Sequence, residues 1–428
     1  MTTLCAALLV ASAALTQPPR AGLSRRELTQ SAALTGASAF YALAGGVLPA
    51  AASLGTATKL EASWTSTRGF GGPAAQEGLV DASAQAGLIA FDESAYKAMA
   101  SDRRRTPQFS KAIKERLAGH EGEWAVLDIG TGPYALLAIL AAKSGARKVY
   151  AVEAVPEAAR RARLFIAKAV ANGDVKEGQI EVLDGLSTAV TLPEKVDLVI
   201  AEIIGTIASE ESCYATIRDA QLRHTKRPNE AASWIPVAAQ TIGSPCSYSA
   251  HALLGPPDFD WAKLEGAPVR LNCRETAVQI LADPQLLEEI RFDVALPASG
   301  KIANAPRAVF TVDSARLLAN AEVYKTETRS DGIADMAAFG TAVAGGLSGL
   351  ALWPRLQLDE AGTIFVESRG VRGEPKKSHW TTAVVLLAPQ PVPVKAGDIV
   401  TATLNVELSG PSVTNPPSYI LTAALQSA

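Results

Sequence analysis

Glu202 and Glu211 stand nine residues apart across a Gly-containing stretch, Ile203-Ile204-Gly205, which follows the apolar run Val196-Asp197-Leu198-Val199-Ile200-Ala201. Two carboxylates brought together from one such loop can clamp a planar cation. A guanidinium stays protonated at physiological pH, with a pKa above about 12. For one of its nitrogens to attack, the group must be held in line and its charge drawn toward the opposite edge, which paired carboxylates do. They also offset repulsion where the electrophile is itself a cation. Acidic pairs on solvated loops are common, and Glu210 competes for the second position. Glu202 is harder to set aside, because it sits just past an apolar strand, where ligand sites open in parallel sheets.

A second constellation is the turn Val126-Leu127-Asp128-Ile129-Gly130-Thr131-Gly132. Glycines where a strand passes into a helix let a ligand approach the backbone closely. Glu153, at the tip of the following strand, is placed to take two ribose hydroxyls. That geometry serves a nicotinamide dinucleotide or S-adenosylmethionine. Asp128 repels a pyrophosphate and suits a ligand with an ammonium and a sulfonium, which favours the second. The turn alone is a modest signal; its pairing with an acidic strand tip weakens the reading of a ligand-free turn. His379-Trp380 is the remaining candidate. Such a pair is often core packing, but an imidazole titrates near neutrality and can receive a proton.

These residues need a scaffold. A helix is expected from about Ser94 to Ser101, and another from Pro107 with Thr106 as N-cap, its apolar stripe being Phe109, Ile113 and Leu117. Ala125–Ile129, Lys148–Val152, Gln179–Leu183 and Val196–Ala201 read as strands alternating with helices, so residues 124–235 form a doubly wound parallel sheet. After Trp234-Ile235-Pro236, short β-prone runs separated by Pro, Gly and Asp recur to the end, and residues 236–428 read as a mostly antiparallel barrel or sandwich. The expected fold class is α/β, a Rossmann-like domain followed by a β-barrel domain. Residues 59–123 hold the two N-terminal helices, preceded by a mobile lead-in up to about residue 90. With 48% hydrophobic and 19% charged residues in 428, there is material for two cores. A formal charge of −3 argues against nucleic acid as a partner. Four scattered cysteines and four unpaired histidines argue against a metal site or a disulfide scaffold.

Residues 1–58 read as an address. Leu4 to Leu15 is a short apolar core with the small-residue exit Ala11-Ser12-Ala13. Ser24-Arg25-Arg26-Glu27-Leu28-Thr29, then a charge-free run to Thr58 containing Ala50-Ala51-Ala52, resembles a twin-arginine signal. Two addresses in series suggest a complex plastid, with stroma and thylakoid lumen both open. Secretion or a membrane anchor is the alternative, although the second run is too weakly apolar for a permanent anchor.

Four stretches in fixed order then resemble the protein arginine methyltransferases. Val196 to Gly205 followed by Glu211 resembles their double-glutamate loop, and Ser378-His379-Trp380 resembles their Thr-His-Trp loop. Tyr96-x-x-Met99-x-x-Asp102-x-x-Arg105-Thr106 resembles their N-terminal substrate-lid helix, and Ala141 to Val149 before Glu153 matches closely. Each is weak alone; together, from about Ala90 to the C-terminus, they are specific. The resemblance implies an active site between the two domains, S-adenosylmethionine as cofactor and a protein substrate with exposed arginines. It implies Glu202 and Glu211 as catalytic, with His379 as proton acceptor oriented by Asp102. Met99 and Trp380 would lie at the substrate, and Arg105 at the cofactor carboxylate. Asp128, Gly130, Gly132 and Glu153 would hold the rest of the cofactor. The chain departs from the family pattern at Pro133-Tyr134, where a third glycine is expected. It departs again near Thr188-Ala189, where an acidic residue contacts adenine; Asp184 or the backbone at Gly185 would substitute. A dimerisation arm would fall near Leu253–Leu264 but is not recognisable, which leaves a homodimer open. Two further readings stay open: a methyltransferase acting on another nucleophile, and a silent module that keeps the fold for binding.

Overall fold

The structure, a computed structural model, describes residues 57–66, 93–257, 259–302, 307–327 and 333–428. The address, up to residue 56, and most of the expected lead-in lie outside the described residues. The described part of that lead-in is no loop. Residues Thr58–Thr65 form strand β1, antiparallel to Ser418–Leu425 at the edge of the barrel. Its alternation explains this: Ala62 and Trp64 are buried while Glu61, Ser63 and Thr65 face out, the period of a half-buried strand.

Helices α1 (Glu93–Ala100) and α2 (Arg105–Leu117) follow. α2 begins two residues before the expected Pro107, and Thr106 is not its cap. Asp102 Oδ1 instead accepts the backbone N–H groups of Arg104 and Arg105, at 2.9 and 3.1 Å. Pro107 then sits in the first turn, where its missing N–H costs nothing. Phe109, Ile113 and Leu117 are buried, as their spacing requires.

The parallel sheet consists of β2 (Ala125–Ile129), β3 (Lys148–Glu153), β4 (Ile180–Asp184), β5 (Leu198–Ala201) and β6 (Trp234–Ile235). Its order is β4-β3-β2-β5-β6. Helices α3 (Leu136–Lys143), α4 (Pro156–Ala171) and α5 (Cys213–Arg223) connect it. β2 neighbours both β3 and β5, so the order reverses at β2. The C-terminal ends of these three strands deliver Gly130, Glu153 and Glu202 to one crevice, where open α/β sheets bind ligands.

The antiparallel half opens with β7 (Ala238–Tyr248), flanked by Gln285–Arg291 and Gly349–Gln357 in a sheet continued by Thr381–Leu386 and Val269–Asn272. A second sheet runs from β1 through Ser418–Gln426 to Ile399–Leu408. Buried residues of both halves join one apolar cluster, from Phe109 and Leu127 to Leu352 and Leu421. Two helices in this half had no clear signal in the sequence, Ser314–Glu327 and Met336–Ala344. Asp335 caps the second by accepting from Ala337 and Ala338. Gly340 lets the pair approach, since a Cβ there would lie 2.4 Å from the Ala321 carbonyl oxygen.

β1 contributes more than an edge. Trp64 stacks on Tyr419 with ring centroids 5.0 Å apart and is 7% exposed. Trp64→Ala should therefore destabilise the protein by about 3–5 kcal/mol, the usual cost of deleting a buried aromatic ring. The measurement is the denaturant midpoint, and an unchanged midpoint would show β1 to be a passive edge.

Candidate active site

The crevice between the domains holds a cavity of about 210 Å³. The turn after β2 forms its floor. Gly130 and Gly132 adopt φ of 72° and 66°, a region costly for residues with a Cβ. At Gly132 an added Cβ would meet the Tyr96 ring at 3.6 Å. Glu153 lies on the wall, 6% exposed, its two oxygens accepting from Gly132 N and Val155 N at 2.9 Å each. Burial raises its pKa, against the backbone donors that lower it. Tyr134 lines the cavity and packs edge-on to Phe165 at 5.0 Å. Gly185, Leu186 and Ser187 face the cavity, whereas Asp184 turns outward to Arg163 at 2.9 Å. Of the two expected substitutes, only the backbone stands at the wall.

The loop from Glu202 to Ser212 forms the opposite side. Glu202 and Glu211 both line the cavity, and Glu210 does not. Glu210 is fully buried and turned toward the barrel, accepting from Ile207 N at 3.1 Å and pairing with Arg270. Gly205 makes this fold-back possible, because a Cβ there would come within 2.7 Å of Glu210 Cβ. Glu211 and Ser212 both sit in the left-handed region, with φ of 60° and 61°. Such backbone strain persists only where the surroundings impose it. Here they do: Ser212 Oγ donates to Val413 O at 2.6 Å, and Ala208 N donates to Thr241 Oγ1 at 2.8 Å.

Arg105 also lines the cavity and donates its Nε to Glu202 Oε2 at 2.8 Å, with its Nη2 on the same oxygen. Met99 and Tyr96, three residues apart on α1, face the cavity together. Beside them His379 Nδ1 lies 3.0 Å from Asp102 Oδ2. Burial alone would raise the Asp102 pKa. The His379 contact and the N–H groups of Arg104 and Arg105 outweigh burial and hold it well below the usual carboxylate range. A carboxylate accepts only, so His379 Nδ1 is the donor in this contact and Nε2 is the nitrogen turned away from Asp102.

Four expected site residues, Asp102, His379, Trp380 and Asp128, stand off the cavity wall. Trp380 is 6% exposed, with its Nε1 donating to Ile204 O at 2.8 Å and its ring 3.8 Å from that of His379. It holds the loop behind Glu202 rather than a ligand. Asp128 is 1% exposed beneath the turn, accepting from Thr131 Oγ1 at 2.6 Å. The sequence reading missed Ser212, Thr216 and Val413 as cavity residues. Val413 comes from the far end of the barrel and carries no local signal. Among the described residues, no group of three or more His, Cys, Asp and Glu could hold a metal ion.

Burial pushes the Asp128 carboxyl up to about 6, partly opposed by the Thr131 hydroxyl and the Ala138 N–H. The folded chain therefore holds this proton more tightly than the unfolded chain, where an aspartate titrates near about 3.9. The resulting stability is complete below about pH 4 and is lost as pH rises through about 6. Asp128→Asn should escape that loss and gain on the wild type by up to roughly 3 kcal/mol between about pH 4 and about pH 7. Urea unfolding of both proteins across that range measures it; a pH-independent difference would contradict the raised pKa.

The family model described as ribosomal protein L11 methyltransferase matches residues 108–212. Protein arginine N-methyltransferase PRMT10 of Arabidopsis thaliana is 36% identical over 144 residues, covering 32% of this chain and 36% of that protein. PRMT10 of Oryza sativa subsp. japonica is 39% identical over the same shares. The matched stretch thus spans about a third of the length of these curated relatives, 36% in each. The solved structure of Arabidopsis thaliana protein arginine methyltransferase 10 is 21% identical, covering 78% of this chain and 97% of that one at a TM-score of 0.51. The Trypanosoma brucei PRMT1 enzyme-prozyme heterotetrameric complex with AdoHcy is 18% identical, covering 73% and 87% at a TM-score of 0.51. The chain is thus similar in sequence to protein arginine N-methyltransferases over 144 residues, and it shares the fold of two of them over most of its length.

Proposed function

We propose that the protein transfers a methyl group from S-adenosylmethionine to a guanidinium nitrogen of arginine side chains in other proteins. One observation carries this: Glu202 and Glu211 share a cavity wall with the glycine turn and Glu153. The residues fit the cofactor. Gly130 and Gly132 bring bare backbone to the cavity, Glu153 is a buried carboxylate placed to meet a ribose, and Arg105, whose Nε and Nη2 hold Glu202, puts a guanidinium at the same cavity for the cofactor carboxylate. When bound, the cofactor supplies an electrophilic methyl group on a sulfonium.

The chain's own residues do the rest. Arg105 uses only Oε2 of Glu202, which leaves Oε1 for a substrate N–H. Glu211, held in a strained backbone, offers the second carboxylate. Together they fix the planar fork and draw positive charge away from the nitrogen that faces the methyl group. His379 Nε2 takes the proton released by that nitrogen, and the ionised Asp102 stabilises the imidazolium.

Two parts of the reading reach beyond the site. The family resemblance supports a homodimer, whose arm would fall near Leu253–Leu264. The tandem address supports a plastid protein, in stroma or lumen, with a mature N-terminus near Ser53. A cut there leaves β1, which starts at Thr58, intact. N-terminal sequencing of the native protein from fractionated cells tests this, and an intact Met1 would contradict it.

Glu211→Gln should lower methyl transfer by about two orders of magnitude or more while cofactor affinity stays close to wild type. Glu153→Ala should do the reverse, weakening cofactor binding by about 1.5–3 kcal/mol. Calorimetry with the demethylated cofactor and mass spectrometry of protein substrates give the two readouts. Full activity in Glu202→Gln and Glu211→Gln alike would mean that arginine is not the acceptor.

A further inference from the structure

Acidic groups line the inside of the site, but its rim is basic. Asp102, which meets His379, is followed directly by Arg103 and Arg104, both exposed. Ser378, whose Oγ lies 3.5 Å from Asp102 Oδ2, is preceded by Lys376 and Lys377. Cys273 Sγ donates to Lys376 O at 2.6 Å, and the next residue is the exposed Arg274. Three separate segments, joined by these contacts beside His379, thus carry five cations. None of the five makes an ion pair with another described residue. The acids on the same segments are Glu275, Glu367 and Glu374; Glu374 lies near Lys376, since both would meet a Cβ added at Gly370, and Glu367 also feels the Lys376 charge. The cations outnumber them in a chain whose formal charge is −3, so the concentration is local.

We infer that this rim docks a protein segment whose target arginine is flanked by aspartate or glutamate. The inference rests on the arginine methylation reading. Charge complementarity argues for this occupant. The target guanidinium is drawn to Glu202 and Glu211, while flanking carboxylates meet the five cations, and a lysine- or arginine-rich flank would be repelled. Rim charges act on docking rather than on the chemical step, so the preference belongs in Kd and KM, and salt weakens it.

The test uses the full chain and fluorescent peptides with one Gly-Arg-Gly centre and flanks of Asp/Glu, Lys or Ser/Gln. The acidic peptide should bind about tenfold more tightly than the lysine peptide at about 50 mM salt, with most of the difference gone at about 500 mM. Its KM should fall in parallel while kcat stays level. The double variant Arg103→Gln, Lys377→Gln should erase most of the preference and methylate the Ser/Gln peptide at the wild-type rate. Equal binding of the three peptides, or tighter binding of the lysine peptide or of a single-stranded RNA of the same charge, would overturn the inference. If the acidic peptide binds preferentially yet gains no methyl group, the docking surface stands and the assigned reaction fails.

Discussion

Carboxylates taken out of water must be given donors, and the loop from Glu202 to Ser212 places three of them in a crevice between two domains. Glu202 is met by Arg105 from the N-terminal helix, and Glu210 by Arg270 from the barrel. Glu211 lines the cavity. The loop can present Glu211 only because Glu210 is drawn the other way. Neighbouring residues in an extended chain point to opposite sides; here the left-handed backbone at Glu211 and the close approach at Gly205 set the divergence. The site therefore needs both domains and the N-terminal helix at once.

Other contacts hold that arrangement. Arg116, on α2, gives one nitrogen to the carbonyls of Ala231, Ala232 and Trp234, at 2.9, 2.6 and 3.0 Å, just where the chain leaves the parallel sheet. Arg369, 2% exposed, donates to Gly373 O at 2.8 Å and to Thr382 Oγ1 at 3.2 Å. It thereby closes both ends of the segment that carries His379. Trp380 and Thr381 join the same segment to the glutamate loop through Ile204 O and Thr206 Oγ1 at 2.8 and 2.7 Å. His379 and the loop that carries Glu202 and Glu211 are tied to each other by these contacts.

Charge in this protein is sorted by depth. The floor holds a carboxyl at Asp128 that burial moves toward neutrality, and burial also raises Glu153 on the wall. Asp102 is the exception, kept ionised by three donors although it too is buried. An ionised partner is what an imidazole needs in order to accept a proton and remain in place. Outside, the same Asp102 segment turns basic within one residue.

Much of this was written in the sequence because the signals are local. A glycine turn between an apolar strand and a helix depends on backbone sterics, so Gly130, Gly132 and the acidic tip at Glu153 could be placed from the chain alone. The same holds for α2's stripe of Phe109, Ile113 and Leu117; the alternation of Ala62 and Trp64 is readable too, although the composition around it suggests only a mobile lead-in. The sequence could propose Glu202 but could not separate Glu210 from Glu211. Both are acidic, adjacent and past the same strand; only the barrel, by supplying Arg270, decides which one is buried. Nor could it put Trp380 behind Ile204, or Val413 at the cavity, because those contacts join positions some two hundred residues apart. What the sequence determined by itself was the chemistry on offer and the turns that carry it. Which side chain faces the ligand was decided by tertiary structure, because each buried carboxylate turns toward the donor that packing brings within reach.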